Sequence, residues 1–192
     1  FTGSTRAGTE ITKASASTIK RVALELGGKS PNICFADADL ESAIKYSVEN
    51  IMSNSGQTCD APTRLLVERS VYDKVCELAA NAAKNVEVND PTIDGDHIGP
   101  MVSKMQFDRV QEMIQVGIDE GATLIAGGLG RPEGLDTGYY IQQTVFSNVG
   151  HDMRISREEI FGPVLVSTTF RTPEEAVQLA NNTRYGLAAT VW

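Results

Sequence analysis

Asn32-Ile33-Cys34-Phe35-Ala36 runs directly into Asp37-Ala38-Asp39-Leu40-Glu41-Ser42-Ala43-Ile44-Lys45-Tyr46-Ser47-Val48-Glu49-Asn50-Ile51-Met52-Ser53-Asn54. The first five residues are short and apolar without alternation, the pattern of a strand buried on both faces. In the second stretch Leu40, Ala43, Ile44, Ser47, Val48, Ile51 and Met52 recur at helical spacing and share one face. Asp39 is a ready N-cap, and Gly56 a natural stop. A buried strand followed at once by an amphipathic helix is the repeating unit of a parallel sheet.

The unit recurs in both directions. Thr63–Glu68 reads as a strand, and Ser70 with Asp73 opens a helix running to about Val86. Ser103 with Gln106 repeats that capping signature before a helix that ends near Gly121. Thr123–Ala126 is a short strand, Gly127–Gly138 a loop, and Tyr139–Val149 and Pro163–Phe170 are β-like. Thr172-Pro173-Glu174-Glu175 supplies an N-cap, an N1 proline and acidic residues to a helix stopping near Asn182. Gly186–Trp192 reads as a last strand. Upstream, Thr18–Leu26 carries Ile19, Val22, Leu24 and Leu26 in partial alternation and reads as a strand ended by Gly27-Gly28. The expected fold is α/β: an open, mainly parallel twisted sheet with flanking helices.

The 192 residues carry 41% hydrophobic and 22% charged side chains and a formal net charge of −8, with pI about 4.8. That acidity argues against nucleic acid or an anionic membrane as partner. No apolar run approaches the roughly 18 residues of a membrane span, and no signal peptide opens the chain. Three cysteines without metal-type spacing point to reduced thiols and a cytoplasmic setting. The Asn181-Asn182-Thr183 sequon then carries no weight. Phe1 in place of Met suggests a chain that begins partway through a longer protein. His97 and His151 share no ligand spacing with any cysteine, so no metal is expected. There is no G-x-S-x-G elbow, which argues against a serine hydrolase.

Cys59 is the first candidate for chemistry. Cys34 lies in an apolar strand and Cys76 in a helix beside Val75, where cysteine serves as filler. Cys59 instead sits in Gly56-Gln57-Thr58-Cys59-Asp60-Ala61-Pro62, a turn, and turns on rigid scaffolds carry function. Glu25 interrupts an apolar stretch just before Gly27-Gly28. It lies either on an exposed strand face or in a cleft at the strand's carboxyl end, where open α/β sheets bind ligands. A half-buried Glu there would have a raised pKa and could act as general base. Gly3-Ser4-Thr5-Arg6-Ala7-Gly8 is neither a Walker loop nor G-x-G-x-x-G, but amides at a glycine-opened helix start can hold a pyrophosphate. Asp37/Asp39 and Glu158/Glu159 read as a cap and a solvated face.

Taken together, Phe1-Thr2-Gly3-Ser4-Thr5 with Gly8, Leu24-Glu25-Leu26-Gly27-Gly28-Lys29, Gly56-Gln57-Thr58-Cys59 and Glu159-Ile160-Phe161-Gly162-Pro163 resemble the aldehyde dehydrogenase family in order and spacing. Asn182-Thr183-Arg184-Tyr185-Gly186-Leu187-Ala188 fits the same pattern. The resemblance implies oxidation of an aldehyde to an acid with NAD or NADP through a cysteine thiohemiacetal and thioester. It makes Cys59 the nucleophile, its amide part of an oxyanion hole, and Glu25 the base for thiol or water. It places Glu159 at the nicotinamide ribose, Phe161 near the ring, and Gly3, Ser4 and Gly8 at the pyrophosphate. Gln106 stands near a family cofactor contact; a lysine common just after it is Arg109 here, so that role is not carried over.

The resemblance also divides the chain: 1–26 as the tail of a cofactor-binding domain and 27–192 as a truncated catalytic domain. The oxyanion-hole asparagine and the adenosine-ribose lysine would lie upstream, and an oligomerisation strand downstream. The family is usually homodimeric or homotetrameric. Alone, the chain is expected to be inactive. Two alternatives stand beside this: a non-catalytic fragment or relative acting by binding or assembly, and a CoA-acylating dehydrogenase, against which Glu25 argues. Asp60, next to the thiol, would favour neutral or cationic aldehydes if it faces the pocket; otherwise it caps a turn.

Overall fold

Six strands form one mixed sheet in the order β3-β4-β5-β2-β1-β6, in a computed structural model that describes residues 1–192. They are β1 (Pro31–Cys34), β2 (Arg64–Glu68), β3 (Thr123–Ala126), β4 (Thr144–Ser147), β5 (Val164–Phe170) and β6 (Thr190–Val191). Only the β3–β4 pair is antiparallel; β4–β5, β5–β2, β2–β1 and β1–β6 are parallel. The helices are α1 (Thr5–Ala16), α2 (Leu40–Met52), α3 (Tyr72–Asn85), α4 (Lys104–Asp119), α5 (Arg154–Arg157) and α6 (Pro173–Asn181). None is long and apolar enough to cross a membrane.

The strand period of two sorts side chains to opposite faces. Leu65 and Val67 of β2 and Leu165 of β5 join one core with Ile44, Val48 and Ile51 of α2 and Val75, Ala79 and Ala83 of α3. Val164 and Val166 of β5 join Phe146 in a second, under Val110, Met113 and Ile114 of α4 and Ile155 of α5. Leu66 and Phe170 meet Ala176 of α6 in a third, smaller one. The inner parallel strands β1, β2 and β5 are thus covered on both sides, as their apolar runs require; the edge strand β6 leaves Val191 exposed.

Caps fall largely where the side chains direct them. Asp39 accepts from Ser42 N at the start of α2, Ser103 from Gln106 N at α4, and Thr172 from Glu175 N at α6. Ser70 does not cap α3. Its hydroxyl donates to Glu68 Oε1, and a 3₁₀ turn at Arg69–Val71 leads into the helix.

The stretch Thr18–Leu26 is not a strand. A ladder needs a neighbour for its amides and carbonyls, and only Phe1–Gly3 meets it. Glu25 N donates to Phe1 O at 2.9 Å and Gly3 N to Glu25 O at 3.0 Å. Ile19 is 90% exposed. Tyr139–Val149 keeps strand pairing only at Thr144–Ser147, and Gly186–Trp192 only at Thr190–Val191.

Candidate active site

Three of the parallel strands are neighbours in the order β5-β2-β1. The polypeptide enters all three from the same end, so the segments leading into them converge. Glu159 precedes β5, Cys59 precedes β2, and Glu25 precedes β1. The sheet itself brings together three motifs spread over 135 residues (from Glu25 to Glu159). This is the amino end of those strands. Glu25 therefore lies neither on a strand face nor at a strand's carboxyl end, the two expected placements: it sits in an irregular lead-in, exposed, and faces the cleft from there.

A cavity of about 580 Å³ is lined by Thr2, Gly3, Ser4, Glu25, Cys59, Gln106, Arg109, Glu159 and Phe161, among others. Six of the seven residues singled out from the sequence therefore share one cavity. The seventh, Gly8, does not line it; Gly8 is buried in α1 against the Leu26 side chain. Asp60 is exposed on neighbouring surface hollows with Tyr46 and Asn50 and does not line the thiol's cavity, so the condition for its favouring neutral or cationic aldehydes, that it face the pocket, is not met.

Two glycines make this convergence tight. Gly28 N donates to Glu159 Oε1 at 3.1 Å, and a side chain at Gly28 would overlap the Cys59 carbonyl. Gly56 has φ +70°, and a Cβ there would lie 2.5 Å from Pro163 N and closer still to the Gly162 carbonyl. Neither position tolerates a side chain, because the obstacle is backbone.

The turn before Cys59 is strained. Asn54 and Ser55 stand at φ 50° and 57°, so with Gly56 three successive residues are left-handed. Each non-glycine residue there costs roughly 1–2 kcal/mol. The surroundings fix them. Ser55 Oγ donates to Gly99 O at 2.6 Å, Asn54 Nδ2 to Gln57 O at 3.0 Å, and Gln57 Nε2 to Asn54 O at 3.1 Å. Val102 N donates to Gln57 Oε1 at 2.8 Å. Phe161, at φ 58°, is a further such residue. Gln106 Nε2 donates to Ile160 O at 3.0 Å and Phe161 O at 2.9 Å and holds it. Gln106 therefore does not complete a capping box with Ser103; its side chain belongs to the cavity. Strain gathered around one cavity marks a functional site. The sequence offered no direct signal for Asn54 beyond the polar run Ser53-Asn54-Ser55, and Gln57, although part of the Gly56-Gln57-Thr58-Cys59 motif, was given no role.

The electrostatics differ between the two adjacent glutamates. Glu158 pairs with Arg154 at 2.7 Å and Arg109 at 2.8 Å, and the Arg154 hydrogen bond leads in holding its carboxyl below the usual range. Burial pushes Glu159 the other way, above that range, against the Gly28 amide and the Lys29 charge. Cys34 and Cys76 are buried or half-buried thiols whose pKa burial raises, in Cys34 to about 11. Cys59 is the partly exposed thiol at the cavity.

The start of α1 forms one side of the cavity. Ser4 caps α1 by accepting from Ala7 N at 3.2 Å, no acidic residue stands in that helix's first turn, and Gly3 and Ser4 face the cavity. A helix start of this kind suits a phosphate.

A model of the aldehyde dehydrogenase family matches residues 1–192. A 3-succinoylsemialdehyde-pyridine dehydrogenase from Pseudomonas sp is 53% identical over 191 residues, covering 100% of this chain and 40% of that protein. An aldehyde dehydrogenase crystal structure from Bartonella henselae superposes with a TM-score of 0.97 at 54% identity, covering 100% of this chain and 40% of that one. Aldehyde dehydrogenase C from Pseudomonas syringae, solved as a mutant with NAD+ and octanal, gives a TM-score of 0.97 at 49% identity, covering 99% and 39%. The chain thus spans about 40% of the length of the relatives it matches.

Proposed function

The chain belongs to the aldehyde dehydrogenase family, and from that premise we propose that it carries the thiol half of a site that oxidises an aldehyde to a carboxylic acid. The observation behind this is the single cavity shared by Cys59, Glu25 and Glu159. Cys59 attacks the aldehyde carbon, giving a thiohemiacetal. Its backbone amide donates to the oxyanion. NAD or NADP, when bound, would supply the hydride acceptor for this carbon. A thioester then remains on Cys59, and Glu25, at the solvent-facing rim, takes a proton from the water that hydrolyses it. Glu159, anchored by the Gly28 amide, binds the nicotinamide ribose, Phe161 packs by the ring, and Gly3 and Ser4 hold the pyrophosphate at the start of α1.

Residues 1–26 belong, in this proposal, to a cofactor-binding domain and 27–192 to the catalytic domain of a cytoplasmic homodimer or homotetramer. Loss of one oxyanion donor costs about 10²–10³ in rate, so the chain alone should form little or no NADH. A chimera, with this chain replacing the matched segment of the Bartonella henselae relative, should form NADH at 340 nm from an aldehyde panel. Cys59→Ala should abolish it. NADH formation that survives Cys59→Ala would overturn the proposal, and strict dependence on added CoA would favour acyl transfer to CoA in place of hydrolysis.

A further inference from the structure

One buried cation touches none of the groups that react in this chemistry. Lys29 follows Gly28 toward β1 and is 1% exposed. Its ammonium forms no ion pair and no hydrogen bond, and only burial and more distant charges act on it. It borders a cavity of about 380 Å³ whose walls include Ser30, Thr183, Tyr185 and Leu187. That cavity shares no lining residue with the thiol's. The buried Ser30 hydroxyl at the same cavity also lacks any partner. Buried polar groups such as this hydroxyl are almost always partnered.

The neighbour of Lys29 sharpens the point. Arg64, 4% exposed, spends its guanidinium on carbonyls: Nε on Lys29 O at 2.8 Å, Nη1 on Leu179 O at 2.9 Å and Nη2 on Ala180 O at 2.7 Å. It brings a positive charge and no carboxylate. Burial first, and Arg64 second, lower the Lys29 amine to about 7, against the pull of Glu159 and Glu158. A desolvated lysine beside a second cation is how an amine becomes a nucleophile near neutral pH.

We propose that Lys29 is a second, cofactor-independent carbonyl site, at which its amine condenses with a small uncharged aldehyde admitted to the 380 Å³ cavity. The nitrogen lone pair forms the C–N bond, and the carbonyl oxygen takes a proton to give a carbinolamine. That hydroxyl leaves as water, and an imine remains. An uncharged aldehyde suits the site because no other lining residue is ionised at neutral pH.

The test is reductive trapping at pH 7 with acetaldehyde and sodium cyanoborohydride, which reduces the C=N bond to a stable N-ethyl group. It uses this chain in a Cys59→Ala background, with peptide mass mapping over time. Lys29 should be labelled at least about tenfold faster than the exposed Lys13, Lys45, Lys74 and Lys104. Leu187→Trp, which enlarges a wall of the cavity, should suppress labelling of Lys29 alone. Labelling of the exposed lysines with Lys29 spared, or of Lys29 only in urea, overturns the proposal. So does Lys29 labelling undiminished in a folded Leu187→Trp chain. Failure of the thiol chemistry would leave this labelling intact, so the two proposals fail separately.

Discussion

Gly56→Ala tests how the site is held together. The residue stands at φ +70°, and the added methyl would meet the Gly162 carbonyl and Pro163 N at the entry to β5. The left-handed backbone alone costs an alanine roughly 1–2 kcal/mol, and forcing extra volume against packed atoms adds about 1–3 kcal/mol. Reduced entropy of the unfolded chain returns about 0.4–1 kcal/mol. The net expectation is a loss of about 1–4.5 kcal/mol. Gly186→Ala is the matched control, because a Cβ there meets nothing within 4 Å and its φ is not left-handed. That change should stay within about 0.5 kcal/mol. Urea titrations followed by circular dichroism give both values. If Gly56→Ala unfolds at the same urea concentration as Gly186→Ala, the claimed abutment of the Cys59 turn on the Glu159–Pro163 segment is wrong.

Three further outcomes are expected. Because the Lys29 pKa in the fold is about 7 and near 10.4 when unfolded, the unfolded chain binds the extra proton between those values. Stability should therefore rise with pH from 7 to 8.5, by up to about 1.4 kcal/mol per unit. Above that window the raised pKa values of Cys34, Cys76 and Tyr72 act in the opposite sense. Lys29→Met should flatten the slope, and an unchanged slope counts against the assignment. Iodoacetamide at pH 8 should alkylate Cys59 well before Cys34 and Cys76, since burial keeps those two thiols protonated; equal rates by peptide mapping would contradict the site. Gln106→Leu should cost about 1–3 kcal/mol through two lost hydrogen bonds to Ile160 and Phe161, and should speed hydrogen exchange of the Phe161 amide.

Much of the fold was legible from local pattern. The α2 face from Leu40 to Met52 and its Asp39 cap are visible because helical periodicity and capping are local properties. Thr18–Leu26 misled because its alternation is that of a strand, whereas a strand also requires a partner that spacing cannot reveal. The cavity was legible only through motifs. Nothing local says that the lead-ins to β1, β2 and β5 are neighbours; that follows from the strand order. Gln106 shows the same limit, since Ser103 does cap α4 while the Gln106 side chain serves a loop 54 residues away.

The thioester on Cys59 is the central claim, and trapping it is the most direct test. The chimera would be mixed with aldehyde and NAD, acid-quenched within milliseconds and mapped by mass spectrometry, with Glu25→Gln used to slow hydrolysis. The account predicts an acyl group on the Cys59 peptide, accumulating with one NADH per site and enriched in Glu25→Gln. NADH formed at full rate with no acyl group on Cys59 would contradict it.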